Sequence, residues 1–208
     1  MEKFSKIEKR HLALGKAMME ADGGNMFPLD LYAFGTIKRS MAHCKGFATL
    51  IETKNLTCAG GIIRMQLDTL LRFYAAFLVD NPHEFASSVM GGKQVKDHVD
   101  RAGLKLSDRH LVDGLSSEYP WIKEVYKQTS GYIHFSNKHI FSALHGLNEE
   151  DRSFQIQLSS DDIERAEEWY GEAIDAFYHI TDIFLLYLEG WVVTKANPEL
   201  VQSNKIPA

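Results

Sequence analysis

Residues 56–79 read LTCAGGIIRMQLDTLLRFYAAFLV. Ile62, Ile63, Met65, Leu67, Leu70, Leu71, Phe73, Tyr74, Phe77 and Leu78 leave almost no polar face, so a helix formed here must be surrounded by other elements. Asn55 or Thr57 can cap its start by accepting from an orphan backbone N–H. Asp80-Asn81-Pro82 ends it at about Val79, because the residue before a proline is driven out of helical geometry.

The flanking segments supply the surroundings. Upstream, Pro28 and Asp30 suit a helix start, and Leu31, Phe34, Ile37, Met41, Cys44, Phe47 and Leu50 recur every three or four residues as one core-facing stripe. A first helix over Ser5–Ala21 carries Ile7, Leu12, Leu14 and Met18 and stops at Asp22-Gly23-Gly24, so residues 1–25 form a peripheral N-terminal element. Downstream, residues 82–118 predict two or three short helices broken by Gly91-Gly92 and Gly103. Pro120 then opens a helix carrying Trp121, Ile122, Val125, Tyr126, Thr129 and Tyr132 to about Ser136. At SFQIQLS the period falls to two, which predicts a strand. Its partner is Lys138–Leu144, joined through GLNEEDR. Ser159, Ser160 or Asp161 caps a last helix whose broad apolar stripe, Ala166 to Trp191, ends at Asn197-Pro198. The expectation is an all-α fold: a helical bundle around a central buried helix, with a small β-hairpin insertion near residues 138–158, in a single domain over residues 1–208.

Composition narrows the function classes. Twenty-three Lys plus Arg against 28 Asp plus Glu give a formal charge of -5, which argues against a chain-wide basic surface for nucleic acid and leaves room only for a local basic patch. Asp175, His179, Asp182 and Glu189 interrupt the most apolar late stretch, so it fails as a membrane span. The N-terminal residues lack the apolar core of a secretory signal, and a soluble, cytoplasmic protein is expected. Cys44 and Cys58 are expected to be reduced core thiols.

Two constellations carry chemistry. Arg64, Asp68 and Arg72 recur at i, i+4 and i+8 on one face of the central helix. They either form a self-satisfying ladder of ion pairs or leave a braced arginine fork facing a phosphate or carboxylate in a cleft. In YKQTSGYIHFSNKH, residues 126–139, helical spacing aligns Lys127, Ser130 or Gly131, and His134. An imidazole suits general acid–base work, so His134 is the candidate acid or base, with Lys127 or Ser130 holding a phosphate oxygen; a hydrogen-bonded core histidine is the other reading. Gly131 inside a helix costs about 1 kcal/mol relative to Ala, so close approach of another helix should compensate. Asp175, His179 and Asp182 resemble half of a metal motif but lack a matching pair on a second helix, and Arg39 with His43 reads as chance spacing. Gly60-Gly61 and Gly91-Gly92 lack the lysine and strand of a phosphate loop, and no nucleophile elbow occurs. Trp121, Trp169 and Trp191 suit core or dimer-interface positions.

Through TSGYIHFS, GIIRMQLDTLLRFYAAFLV and the long last helix, the chain resembles HEPN-like helical proteins over roughly residues 30–195. That resemblance implies a dimeric helical bundle without cofactor or metal. It also implies, in active members, a metal-independent endoribonuclease of toxin or phage-defence systems whose signature is an arginine followed by a histidine on one helix. His134 takes the histidine's place. Lys127 stands where the arginine would, keeping the charge and losing the bidentate fork. The implied chemistry is attack by a ribose 2′-hydroxyl on the neighbouring phosphate, with RNA lying in a cleft between two copies, and Arg64 or Arg72 supplying the missing fork in space. The alternative function is a non-catalytic dimeric interaction or ligand-binding module in which an Arg/Asp/His network is buried.

Overall fold

The computed structural model describes residues 2–148, 152–156, 158–159, 162 and 167–199. Its helices are α1 (Glu2–Glu20), α2 (Pro28–Glu52), α3 (Leu56–Ala75), α4 (Pro82–Met90), α5 (Asp108–Ser116), α6 (Trp121–Ile133), α7 (Asn137–Ser142) and α8 (Glu167–Ala196). A two-stranded antiparallel hairpin, β1 (Leu144–Asn148) and β2 (Ser153–Ile156), stands between α7 and α8. The fold is all-α, with that β-hairpin inserted among the described residues.

Helix α3 is the axis. It packs against α2, α5, α6 and α8, and Leu67, Leu70, Leu71 and Phe73 on it are fully buried. Asn55 caps it by accepting from Cys58 N, as its position predicts. A second acceptor comes from far away, since the Asp162 carboxylate takes the Thr57 N–H at 2.9 Å. Around α3 the aromatic core includes Phe47 stacked on Phe177 at 4.2 Å and Phe73 edge-on to Phe184.

Helices α1 and α8 run parallel. Lys3 meets Asp175 at 3.0 Å, Arg10 meets Asp182, and Lys195 donates to the Met18 carbonyl at 2.7 Å. Lys195 and Asp30 form a fully buried ion pair at 2.8 Å, and Trp191 Nε1 donates to the other Asp30 oxygen at 2.8 Å. Asp30 also accepts from Phe27 N, so one carboxylate both starts α2 and clamps the last helix.

Several expectations are corrected. Lys138–Ser142 is helical, and only Leu144–Asn148 pairs with β2: Ser136 caps α7 by accepting from Lys138 N, so local hydrogen bonding outcompetes the strand reading. Helix α6 stops at Ile133 rather than Ser136. On α1 the buried phase runs through Ile7, His11 and Met18, leaving Leu12 59% exposed; on α2, Leu31 is 54% exposed while Asp30, Ser40 and His43 are buried. Cys58 is exposed, and Cys44 alone is a core thiol, its pKa pushed up to about 12 by burial. Of the expected caps for the last helix, Ser160 and Asp161 lie outside the described residues, and Ser159 is not helical.

Candidate functional site

The arginine ladder is completed by side chains from other helices. Arg72 lies on Asp68 at 2.7 Å, and Arg39 of α2 reaches the other Asp68 oxygen at 2.8 Å. Asp108, the first residue of α5, binds Arg72 through one oxygen and Arg64 through the other, at 3.2 Å for Arg64. Arg64 therefore turns away from the Asp68 partner that its spacing suggests. Its guanidinium stacks on the Tyr126 ring at 4.1 Å, and the Tyr126 hydroxyl leans on Asp108 at 3.4 Å. Burial opposes charge on Arg72, but Asp68 and Asp108 outweigh it and raise its pKa. Burial likewise works against the Asp108 carboxylate, yet Arg72 and Arg64 hold its pKa below the ordinary value. Three guanidiniums share two carboxylates and fasten α2, α3, α5 and α6 together.

The other constellation divides across α6. Lys127 is exposed, Ser130 is half-buried, and His134 is an exposed C-cap in extended geometry (φ -105°, ψ 143°). Among the described residues no hydrogen bond or ion pair holds the Lys127 or His134 side chain. Tyr126, which touches Arg64, lies eight residues before His134, about 12 Å along a helix axis. Imidazole and guanidiniums are therefore not gathered into one cluster. The close contact inferred at Gly131 comes from Ser136 and Lys138, beyond the end of its own helix. The tight helix crossing is at Gly60 of α3, where a Cβ would stand 2.6 Å from the Tyr132 ring.

The opposite face of the same motif lines a cleft. Two recesses of about 140 and 440 Å³ share Leu56, Tyr132, Lys138 and Trp169 and so adjoin between α3, α6, α7 and α8. Phe141 and His139 close the smaller part; Gln128 and Glu124 line the larger. Lys138 Nζ donates to Gln128 at 2.8 Å and sits 4.7 Å from the Tyr132 ring centre, and burial lowers its pKa despite nearby Glu124. The Ser136 N–H donates to His139 Nδ1 at 3.2 Å, which leaves the neutral ring's proton on Nε2 as a donor. Lys138, His139 and Trp169 were not singled out for chemistry by spacing, because the turn at 134–136 rather than a continuous helix brings α7 back under α6.

A buried polar chain was also missed. His11 Nδ1–H donates to the Ile7 carbonyl at 2.8 Å, so its Nε2 accepts from Ser40 Oγ at 2.8 Å. Ser40 accepts from Gln66 at 2.8 Å, Gln66 also donates to Thr181 at 3.1 Å, and His43 Nδ1–H donates to the Gln66 oxygen at 3.0 Å. Desolvation lowers the pKa of both His11 and His43. The available signal was the phase of α1, in which His11 falls in line with Ile7 and Met18. These buried histidines, not His134, hold the polar network of the core. Asp175 and Asp182 are taken by Lys3 and Arg10, and His179 lies edge-on to Trp121; among the described residues no cluster of three metal-ligating side chains forms.

No family model, no curated protein and no solved structure matches this chain. Among the described residues, no helix is long and apolar enough to cross a membrane.

Proposed function

We propose that the chain is a HEPN-like ligand-binding module in which the Arg/Asp cluster is a structural clamp and recognition takes place in the cleft between α3, α6, α7 and α8. One observation carries this reading. The Arg64 and Arg72 guanidiniums are already ion-paired to Asp108 and Asp68, whereas Lys138, hydrogen-bonded to the neutral Gln128 side chain, and His139 line a cavity walled by Tyr132, Phe141 and Trp169. The smaller recess is close to the roughly 150 Å³ that accepts a benzene ring in an engineered apolar cavity. An aromatic ring bearing an anionic group fits that chemistry: the ring lies against the aromatic walls and the anion takes Lys138 and His139. The test is calorimetric titration with benzoate and with phenyl phosphate. Saturable one-site binding that is lost in Lys138→Met supports the reading; no saturation, or equal binding by the variant, removes it.

The ribonuclease reading retains one favourable observation, since His134 and Lys127 are both open to a polymer on the outer side of α6. Under it, purified protein cleaves RNA in the presence of a chelator and His134→Ala does not. Equal residual cleavage by the two proteins would take His134 out of any catalytic role.

A further inference from the structure

Helices α1 and α2 pack antiparallel, with His11 Nε2 accepting from Ser40 at one level and the Phe4 ring 5.9 Å from Phe47 at another. Beside that seam lies a recess of about 1090 Å³, larger than either part of the cleft and comparable with the upper end of the roughly 300–1,000 Å³ of small-molecule sites. Its floor is apolar. Phe4, Met41, Cys44 and Leu50 line it, and the buried His11 adds a ring whose two nitrogens are both already hydrogen-bonded. Small residues of α2 keep it open, since Ala42 and Gly46 lie in its wall and a Cβ at Gly46 would meet nothing within 4 Å. Three charged side chains line it, Lys38 and Lys45 from α2 and Glu8 from α1, and among the described residues none of the three is ion-paired. Two cations against one acid make the recess locally positive on a chain whose formal charge is -5.

We infer that this recess binds a free long-chain fatty acid, its carboxylate at Lys38 and its tail running along α2 to Phe4 and Leu50. The order of the lining residues sets that direction. Because the two helices are antiparallel, Phe4 of α1 lies at the Leu50 end of α2, and Lys38 stands at the other end, about 18 Å away along the helix axis. A ligand that spans the recess is therefore long, charged at one end and apolar at the other. Glu8 lies between the two ends and repels a carboxylate placed midway, which keeps the head at Lys38. Lys45 lies midway as well, where its methylene stem can flank the acyl chain while its ammonium stays in water and offsets Glu8. The floor loses nothing by being covered with hydrocarbon. The His11 nitrogens keep their protein partners, and burial holds the Cys44 thiol in its neutral form.

The inference does not depend on what the cleft binds. Its test is calorimetric titration of the full chain with sodium myristate below the concentration at which the soap forms micelles. Binding saturates at one molecule per chain, 1-tetradecanol with the same chain and no carboxylate binds more weakly, and Lys138→Met in the cleft leaves myristate binding unchanged. Ala42 and Lys38 are exposed, so their variants keep the wild-type circular dichroism. Ala42→Trp fills the recess and abolishes binding, whereas Lys38→Glu, which turns an attraction at the head into a repulsion, weakens it by about tenfold. Absence of saturation, many molecules bound per chain, undiminished binding by Ala42→Trp or Lys38→Glu, equal binding of acid and alcohol, or loss of binding in Lys138→Met overturns the proposal.

Discussion

At the scale of single residues, Asp108 and Gly60 hold more than their positions in the sequence suggest. Asp108→Asn removes the charge that Arg64 and Arg72 share, and because the cluster is half-buried the loss falls between the values for exposed and buried pairs, about 2 kcal/mol by urea unfolding. Gly60→Ala sets two effects against each other. Alanine favours the helix by about 1 kcal/mol, but a Cβ 2.6 Å from the Tyr132 ring forces overpacking worth about 1–3 kcal/mol, so the net change is destabilising. At Gly46 of α2 nothing lies within 4 Å of the added carbon, and Gly46→Ala should raise stability by about 0.5–1 kcal/mol. Opposite signs for the two variants are the check. The Arg64, Asp68 and Arg72 face was legible because helical spacing places them together. Arg39 and Asp108 were not, because their partners lie 29 and 44 residues away and only tertiary packing joins them. His134 was misplaced by a smaller cause: the helix ends one residue before it, and the three-residue polar stripe that a longer helix would make does not form.

At the scale of elements, the long helices were readable because their apolar periods extend over five or more turns, while the short pieces were decided by local caps. Lys138–Ser142 shows the difference. Its apolar residues suit a strand, but Ser136 and His139 form a reciprocal cap that starts a helix. Likewise Asp162, the residue after the caps expected for the last helix, serves the first turn of α3. The Lys195–Asp30 pair gives a direct test of how α8 is held. Lys195→Met leaves Asp30 buried without its cation and should cost about 3–5 kcal/mol. Lys3→Met, which breaks an exposed pair between α1 and the same helix, should change stability by no more than about 0.5 kcal/mol. Equal losses in urea titrations would show that the buried pair is no more important than the surface one.

Across the whole molecule, acid sensitivity follows from the histidines in the core. His11 and His43 have folded-state pKa values below the roughly 6.5 of an unfolded histidine, so the unfolded chain takes up protons first. Their stabilising contribution is complete above that pH and is lost as pH falls below it. The urea midpoint should therefore drop between pH 7.5 and 5. A further drop should follow below about pH 4, where the unfolded carboxylate corresponding to Asp108 gains a proton before the folded one. A flat profile from pH 7.5 to 5 would contradict the neutral, hydrogen-bonded assignment of both rings.

The parallel seating of α1 on α8 has a consequence for biosynthesis. Lys3 and Arg10 find their acids 172 residues later in the chain. At ribosomal speeds of about 5–20 residues per second, the first helix emerges roughly 10–30 s before its mate exists. During that interval the nascent protein carries an amphipathic segment with one flank undocked, and a chaperone that shields this flank should raise the yield of native product more than one acting after release.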